Sequence, residues 1–229
     1  MANLKKIMEK KITTVDKINQ QYEKDNIPRS RLGLSEIGHH CSRYLWFKHH
    51  GYENISPEGR VLRLFQLGNI LEDQTIADLK NAGFSVTDGQ KEVNFTFNNV
   101  TLYGHIDGII TGLVESPKTP HLFEHKTCSL KRYRELLKKK DYKAWSEVYF
   151  WQVQAYMLGL ELSRSAVFVY CKDNSELYME RIKLNKTKTI GKLTQVFDAI
   201  SLDSPPDRVC PNAGWYQAKM CDFRKICFK

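Results

Sequence analysis

Two short apolar runs constrain this chain more than any other feature: Leu-Tyr-Gly-His-Ile-Asp-Gly-Ile-Ile at 102–110 and His-Leu-Phe-Glu-His-Lys-Thr at 121–127. Both read as strands. Side chains alternate faces along a strand, so Glu124 and Lys126 project to one side while Phe123 and His125 face the other. Asp107, within the first run, is costly to bury unless it is paired or holds a metal. Its Asp-Gly dipeptide also suits a hairpin turn, but apolar residues continue after Gly108, so the strand is expected to pass through. Two carboxylates and a lysine converging on one point can hold a divalent metal and a phosphate oxygen together, the layout of a metal-dependent phosphodiesterase site. Glu-x-Lys alone is common on solvated strand faces; the combination carries the signal.

Around these runs the pattern alternates between helix and strand. Residues 1 to about 30 read as a basic amphipathic helix, with Leu4, Ile7, Met8 and Ile12 on one stripe, ending at Asn26-Ile27-Pro28. A second helix is predicted from Ser35, as N-cap, through Cys41, Tyr44, Leu45 and Phe47, then a loop from Gly51 to Gly59. A third runs from about Val61 to Ala82 and carries Gly68 and Glu72. Predicted strands are Phe84–Val86, Glu92–Phe97, Leu102–Ile110, His121–Thr127, Ala166–Cys171 and Leu177–Ile182, with helices over Trp145–Leu160 and Lys186–Ser201. Pro205-Pro206 opens a tail holding three of the six cysteines. The expectation is one domain over 1–229: a helical N-terminal region (1–60), a core (61–202) and the cysteine tail (203–229). Helices flanking a central group of strands make the class α/β or α+β.

Composition narrows the partners. A formal charge of +9 and a pI of about 9.2 favour polyanions, nucleic acid before an acidic membrane surface. No apolar run approaches the roughly 20 residues of a membrane span. The N-terminus has positive charge but no apolar signal core, so an intracellular, cytoplasmic protein with no membrane association is expected. Cysteines there are free thiols or metal ligands more often than disulfides. No Gly-x4-Gly-Lys-[Ser/Thr] phosphate loop is present, so the chain carries no helicase motor of its own.

Four motifs in order resemble the PD-(D/E)XK nuclease superfamily and its RecB-like exonuclease branch: Gly68-x-x-x-Glu72, Asp107 in Gly-x-x-Asp-Gly, Glu124-x-Lys126-Thr127, and Gln152-x-x-x-Tyr156. Together they span roughly residues 35 to 229. The resemblance implies a restriction-endonuclease-like core with a central mixed sheet. It also implies Mg²⁺ or Mn²⁺ on Asp107 and Glu124, hard oxygen ligands suited to either ion. Glu72 would bond the ion directly or through a water, and Lys126 would steady the attacking water and offset phosphoryl charge. Gln152 would orient the lysine or the water, and Tyr156 would support the site or the DNA backbone. Gln152 and Tyr156 lie four apart, on one helical face, whereas Gln154 points elsewhere.

Two further groups are candidates. Between Lys126 and Lys143 stand eight basic residues, including Lys131, Arg132, Arg134, Lys138, Lys139 and Lys140, against Glu135 and Asp141. Tyr133, Tyr142 and Trp145 are interleaved, so the segment can track phosphates and stack bases, or simply be a solvated helix face. Arg43 could meet a DNA phosphate or form a surface salt bridge. Cys41 together with Cys210, Cys221 and Cys227 resembles the cysteine set of the iron–sulfur exonucleases of AddB type and of the CRISPR-associated family, implying a [4Fe-4S] cluster. That family's tail reads Cys-x2-Cys-x5-Cys; Cys221 and Cys227 fit, but Ala218 stands where the first cysteine is expected, and Cys210 is the substitute. Zinc with His39 or His40, or no metal, are the alternatives. Cys128 and Cys171 read as core thiols without partners.

The reading is an intracellular Mg²⁺/Mn²⁺-dependent DNA exonuclease acting in recombination, repair or replication, on a phage or mobile element by resemblance, with a helicase, annealing protein or single-strand binder as partner. A structure-specific endonuclease of the same superfamily and a non-catalytic DNA-binding module with a structural metal are the other two readings.

Overall fold

The strand His121–Cys128 is buried on both faces for most of its length, the pattern of a strand covered by helices on each side. The computed structural model describes residues 12–27, 31–52 and 56–229. In chain order these form α1 (Thr14–Asp25), a 3₁₀ turn (Leu34–Glu36), α2 (Ser42–His49) and α3 (Gly59–Asn81). Then come β1 (Ser85–Thr87), β2 (Glu92–Phe97), β3 (Val100–His105), β4 (Gly108–Thr111) and β5 (His121–Cys128). They continue through α4 (Leu130–Lys139), α5 (Tyr142–Trp145), α6 (Glu147–Gly159), β6 (Arg164–Cys171), β7 (Leu177–Lys183) and α7 (Lys186–Ile200) to α8 (Tyr216–Lys219) and α9 (Arg224–Cys227).

Among the described residues β1, β4, β5, β6 and β7 make one five-stranded sheet in the order β1-β4-β5-β6-β7. β5 and β6 are parallel, from Leu122↔Ser165 to Cys128↔Cys171, and the other pairings are antiparallel. A parallel pair needs a crossover, and α4 to α6 supply it. The sheet therefore has two packed faces. On one, Leu122, Val167 and Val169 meet Val153 and Met157 of α6 and Val196 and Phe197 of α7. On the other, Val86, Ile110, Phe123 and Phe168 meet Ile76 and Leu79 of α3. Strand alternation delivers Leu122 and Phe123 to opposite cores.

β2 and β3 form a separate hairpin. Its two-residue turn, Asn98-Asn99, has φ of 46° and 63°, left-handed values that match strand twist and that asparagine tolerates. The tail packs against α2: Phe223 is buried with Trp46 and Phe47, and the Trp46 indole donates to the Leu202 carbonyl (2.8 Å). No helix among the described residues is long and apolar enough to cross a membrane.

Most predicted elements appear within a few residues of their expected bounds, with three exceptions. Of the helix expected over residues 1 to about 30, the described residues hold only α1, which begins from the N-cap Thr13, where a capping box with Asp16 starts it. The helix expected from Ser35 does not exist as one piece. Ser35 sits in the 3₁₀ turn, and α2 starts only after Cys41, which takes the N-cap position. Gly38 lies in the break, where a Cβ would stand 2.5 Å from Val148 Cα, so the chain is pressed against the start of α6 there. The strand expected over Leu102–Ile110 is two strands in two sheets, β3 and β4. Asp107 stands at the transfer, neither in a hairpin turn nor within a continuous strand. The Leu4, Ile7 and Met8 stripe and Pro28 lie outside the described residues, as does part of the 51–59 loop.

Candidate active site

The transfer between sheets builds the site. β4 pairs with β5 only as far as Gly108↔Phe123, so the backbone of β5 beyond Phe123 has β6 on one side and a cleft on the other. At that point the His125 N–H donates to Asp107 Oδ2 (2.7 Å), closing a donor that β4 has left unpaired. The carboxylate is thereby fixed over the second half of β5.

Glu124 is fully buried. Its Oε1 accepts from Gln152 Nε2 of α6 (2.8 Å) and from Lys126 Nζ, while Oε2 is buried with no hydrogen-bond partner. Lys126 stands 5.2 Å from the Tyr149 ring centroid. Burial works against its charge, but the Glu124 and Asp107 carboxylates outweigh it and hold the lysine well above its usual range. Burial raises all three acids. Glu124 is pushed to about 8, by burial and then by Asp107; Glu72 on α3 to about 7, by the same two causes in the same order. Asp107 is also raised by burial, against the pull of Lys126 and the His125 N–H. The arrangement is short of positive charge.

Tyr156 is buried one turn beyond Gln152 and hydrogen-bonds to its side chain. Its ring occupies the space above Gly104, where a Cβ would fall 2.5 Å from Tyr156 Cε1. His125, on the opposite face of β5 as expected, is buried and lowered to about 4 by burial and then by the Lys126 charge. The Thr75 hydroxyl donates to Leu71 O (2.8 Å), so it accepts from the neutral His125 Nε2 (3.1 Å), tying α3 to β5. Gln154 points away, with its amide bonding Lys183 O and its carbonyl accepting from Asn185 N.

A cleft of about 530 Å³ opens over these groups; Glu72, Asp107 and Lys126 line it together with Phe65, Gly68 and Tyr149. The sequence reading missed Phe65 and Tyr149. Phe65 is three residues before Gly68 and seven before Glu72, and Tyr149 three before Gln152, so helical periodicity alone could have placed them on the same faces. Gly68 is not demanded by the protein's own packing, since a Cβ would meet only Thr127 Oγ1 at 3.7 Å. Glycine inside a helix costs about 1 kcal/mol relative to alanine. Gly68→Ala is therefore expected to raise unfolding free energy by about 0.5–1 kcal/mol while lowering turnover, because the added methyl fills the cleft. Chemical denaturation and turnover measured side by side check this; a variant equally stable and equally active would show that the cleft does not need the space.

The basic segment behaves differently from expectation. Tyr133 on α4 and Tyr142 and Trp145 on α5 are buried and cannot serve as stacking platforms, because the faces that carry them belong to the core. Arg132 bonds Glu135 and the Trp145 carbonyl (2.5 and 3.0 Å), and Lys139 the Ala144 carbonyl (2.6 Å). Lys131, Arg134 and Lys138 line a separate shallow groove. Lys140 is exposed at the left-handed C-cap of α4. Lys172 is a cation that does line the cleft. The Arg43 guanidinium donates to the Pro205 and Pro206 carbonyls (3.3 and 2.7 Å) and ties α2 to the tail.

The six cysteines are free thiols. Cys41, Cys210, Cys221 and Cys227 gather in one region, near enough that Cys41 is affected by Cys227 and Cys210, and Cys221 by Cys41 and Cys227. Burial raises the thiols of Cys41 and Cys221. Ala218 is buried and its carbonyl accepts from Cys221 N (3.1 Å). Among the described residues no group of three or more His, Cys, Asp or Glu side chains is positioned to hold a metal ion as it stands. Cys128 and Cys171 are buried core thiols, but they are not without partners, because the parallel register sets them side by side.

No family model matches the chain, and no curated protein matches its sequence. Solved structures do. The protein crystallised as SSO0001 is 14% identical, with 94% of this chain and 96% of that one covered and a TM-score of 0.52. The exonuclease LHK-Exo in complex with dAMP is 16% identical over 76% of this chain and 87% of that one, with a TM-score of 0.52. The alkaline exonuclease LHK-Exo from Laribacter hongkongensis, in a further structure, is 15% identical over 80% and 91%, with a TM-score of 0.50. At these identities the likeness is one of fold: a five-stranded mixed sheet flanked by helices, consistent with a restriction-endonuclease-like core.

Proposed function

We propose that this chain is a divalent-metal-dependent DNA exonuclease of the PD-(D/E)XK superfamily, in its RecB-like branch. The observation that carries the reading is the buried group Asp107–Glu124–Lys126, braced by Gln152 and opening onto a cleft at the free edge of β5. A pure binding surface has no use for buried carboxylates beside a phosphate, which would repel it. The fold likeness to an exonuclease crystallised with dAMP supports the same direction.

A divalent cation fits the Asp107–Glu124 pair. Glu124 Oε2 is buried with no hydrogen-bond partner, and burial and then the Asp107 carboxylate raise the proton affinity of Glu124. Mg²⁺ binds through one or two carboxylates plus water and phosphate oxygens, so a pair suffices. When bound, Mg²⁺ or Mn²⁺ would supply Lewis-acid polarisation of the scissile phosphate. The chain's own groups do the rest. Lys126, held charged, acts as a donor to the developing phosphoryl oxyanion and cannot serve as a base. Gln152 holds Glu124 in register, and the His125 N–H holds Asp107. Glu72, which lines the same cleft, would bond the ion directly or hold the attacking water.

The pH dependence follows with a definite sign. Glu72 and Glu124 are raised to about 7 and about 8 from an ordinary 4.5, so their contribution to stability is full below pH 4.5 and is lost as pH rises from there through 7 and 8. The metal-free protein is expected to melt lower at pH 9 than at pH 6 on this account. Mg²⁺ should raise the melting temperature more at pH 9. An equal Mg²⁺ effect at both pH values would argue against these carboxylates as its site.

End-labelled linear DNA and covalently closed circles, each incubated with Mg²⁺, Mn²⁺ or EDTA, test the activity. Loss of only the linear substrate, dependent on the metal, is the expected result. Cutting of circles would move the assignment to an endonuclease, and tight binding without cleavage to a DNA-binding module. Action in recombination, repair or replication, beside a helicase or single-strand binder, belongs to the same proposal.

A cysteine-ligated centre at Cys41, Cys210, Cys221 and Cys227 is part of this reading: four thiols match the donor number of an iron–sulfur cluster, which the resemblance implies, and equally of zinc. Its role would be to staple the tail to α2. Cys227→Ala is expected to lower the melting temperature and to remove visible absorbance from protein purified without oxygen. Colourless wild-type protein free of iron and zinc would end the idea.

A further inference from the structure

A second cavity, of about 590 Å³, lies towards the tip of the β2–β3 hairpin, and no part of the proposed chemistry uses it. Arg31, His49 and His50 line it from one side, and Asn99, Thr101 and Tyr103 from the hairpin. Its floor includes the buried Leu32, and among its described lining residues there is no Asp or Glu. Tyr103 is half exposed, at 50%, so its ring is available. His50 is held by stacking on Trp46, with ring centroids 3.9 Å apart, and by Nδ1 against the Trp46 carbonyl (2.9 Å). Burial first, and then the neighbouring His50 and Arg31, lower His49, so its ring is a neutral imidazole near pH 7 beside the Arg31 guanidinium. A guanidinium cation, imidazole and hydroxyl groups and an open aromatic ring around an apolar floor suit one kind of ligand, a phosphate attached to a flat base.

The hairpin links this cavity to the catalytic cleft. Alternation puts Thr101, Tyr103 and His105 on one face of β3, while Leu102 and Gly104 face the core. Asp107 follows two residues after His105, and Gln90, at the base of the hairpin, lines the cleft itself. From Tyr103 to Asp107 is four residues, at most about 14 Å of extended chain. A strand a few nucleotides long spans that distance. The exposed ribbon between the two cavities carries the Glu92 carboxylate, whose oxygen lies 4.0 Å from His105 Nε2.

We propose that this cavity is a nucleotide subsite for the substrate strand. It takes a phosphate on Arg31 with His49 and His50, and a base on Tyr103, a few nucleotides from the bond cleaved in the catalytic cleft. The assignment rests on the nuclease reading for its place in catalysis, and on the cavity alone for nucleotide binding.

The test uses single-stranded oligodeoxynucleotides of increasing length, from a dinucleotide upward, and thymidine 5′-(p-nitrophenyl phosphate) as a diester too short to reach the cavity. Wild type, Tyr103→Ala, Tyr103→Phe and Arg31→Gln are compared. In wild type KM is expected to fall with length and then level off. Tyr103→Ala and Arg31→Gln should each lose about tenfold of that gain, with kcat and hydrolysis of the short diester unchanged, while Tyr103→Phe retains it. Oligonucleotide affinity in EDTA gives the same comparison without turnover. An inactive wild-type protein whose affinity still drops in Tyr103→Ala would overturn the nuclease reading and keep the subsite. Length dependence and affinity untouched by both Tyr103→Ala and Arg31→Gln would overturn the subsite.

Discussion

Lys126→Ala is expected to lower DNA cleavage by about 10²–10³-fold, the loss typical of one preorganised donor to a developing oxyanion. Lys126 is the cation whose Nζ meets Glu124, and the carboxylates around it hold it charged. Among the described residues His125 faces the other side of β5 and is neutral, and Lys172 lies on the cleft wall, so neither replaces that charge. The fold should survive near neutral pH. Glu124, already at about 8, would simply keep its proton once its partner is gone. The variant should therefore lose stability relative to wild type more at pH 9 than at pH 6, where the protonated acid needs no counter-ion. Turnover on labelled linear DNA, with melting curves at the two pH values, reads both effects. Cleavage within tenfold of wild type would remove Lys126 from the chemistry. An unfolded variant at pH 6 would show the pair to be structural first.

Gly104→Ala is expected to damage the site from outside it. The added Cβ would stand 2.5 Å from Tyr156 Cε1 and 2.6 Å from its hydroxyl oxygen, distances no real contact tolerates. Tyr156 is buried at 2% exposure and cannot swing clear, so the ring or the hairpin must shift. Overpacking of this kind costs about 1–3 kcal/mol. The displacement passes directly to Gln152, which Tyr156 hydrogen-bonds, and from Gln152 to Glu124. Misplacing a catalytic group by about 1 Å can cost as much as 100-fold in rate, so a drop of at least tenfold is expected beside the lost stability. Denaturant titration and kcat measure the two separately. Full activity with reduced stability would mean that Tyr156 packs the core without positioning Gln152.

Much of this was legible in the chain. β2 was read with its exact bounds, β5 and α3 within two residues, and the opposite facing of Glu124 and His125 followed from strand alternation alone. These are local properties: hydrophobic period, caps and glycine breaks report the nearest few residues and little else. The spacing of Gln152 and Tyr156 put both on one helix face for the same reason, and Gln154 on another.

What the tertiary structure decided was where neighbours compete for the same stretch. Asp107 was expected inside a strand; it stands where the chain leaves one sheet for another, because β5 had a backbone donor to satisfy there. Tyr133, Tyr142 and Trp145 sit among lysines yet are buried, since α4 and α5 each turn these rings to the core. Arg43 looked like a surface charge and holds the tail instead. Cys128 and Cys171 are far apart in sequence and adjacent only through parallel strand register. The cavity at Tyr103 draws on three separate segments. In each case the deciding contact joins residues too distant in the chain for any local pattern to record, and packing, not propensity, chose the outcome.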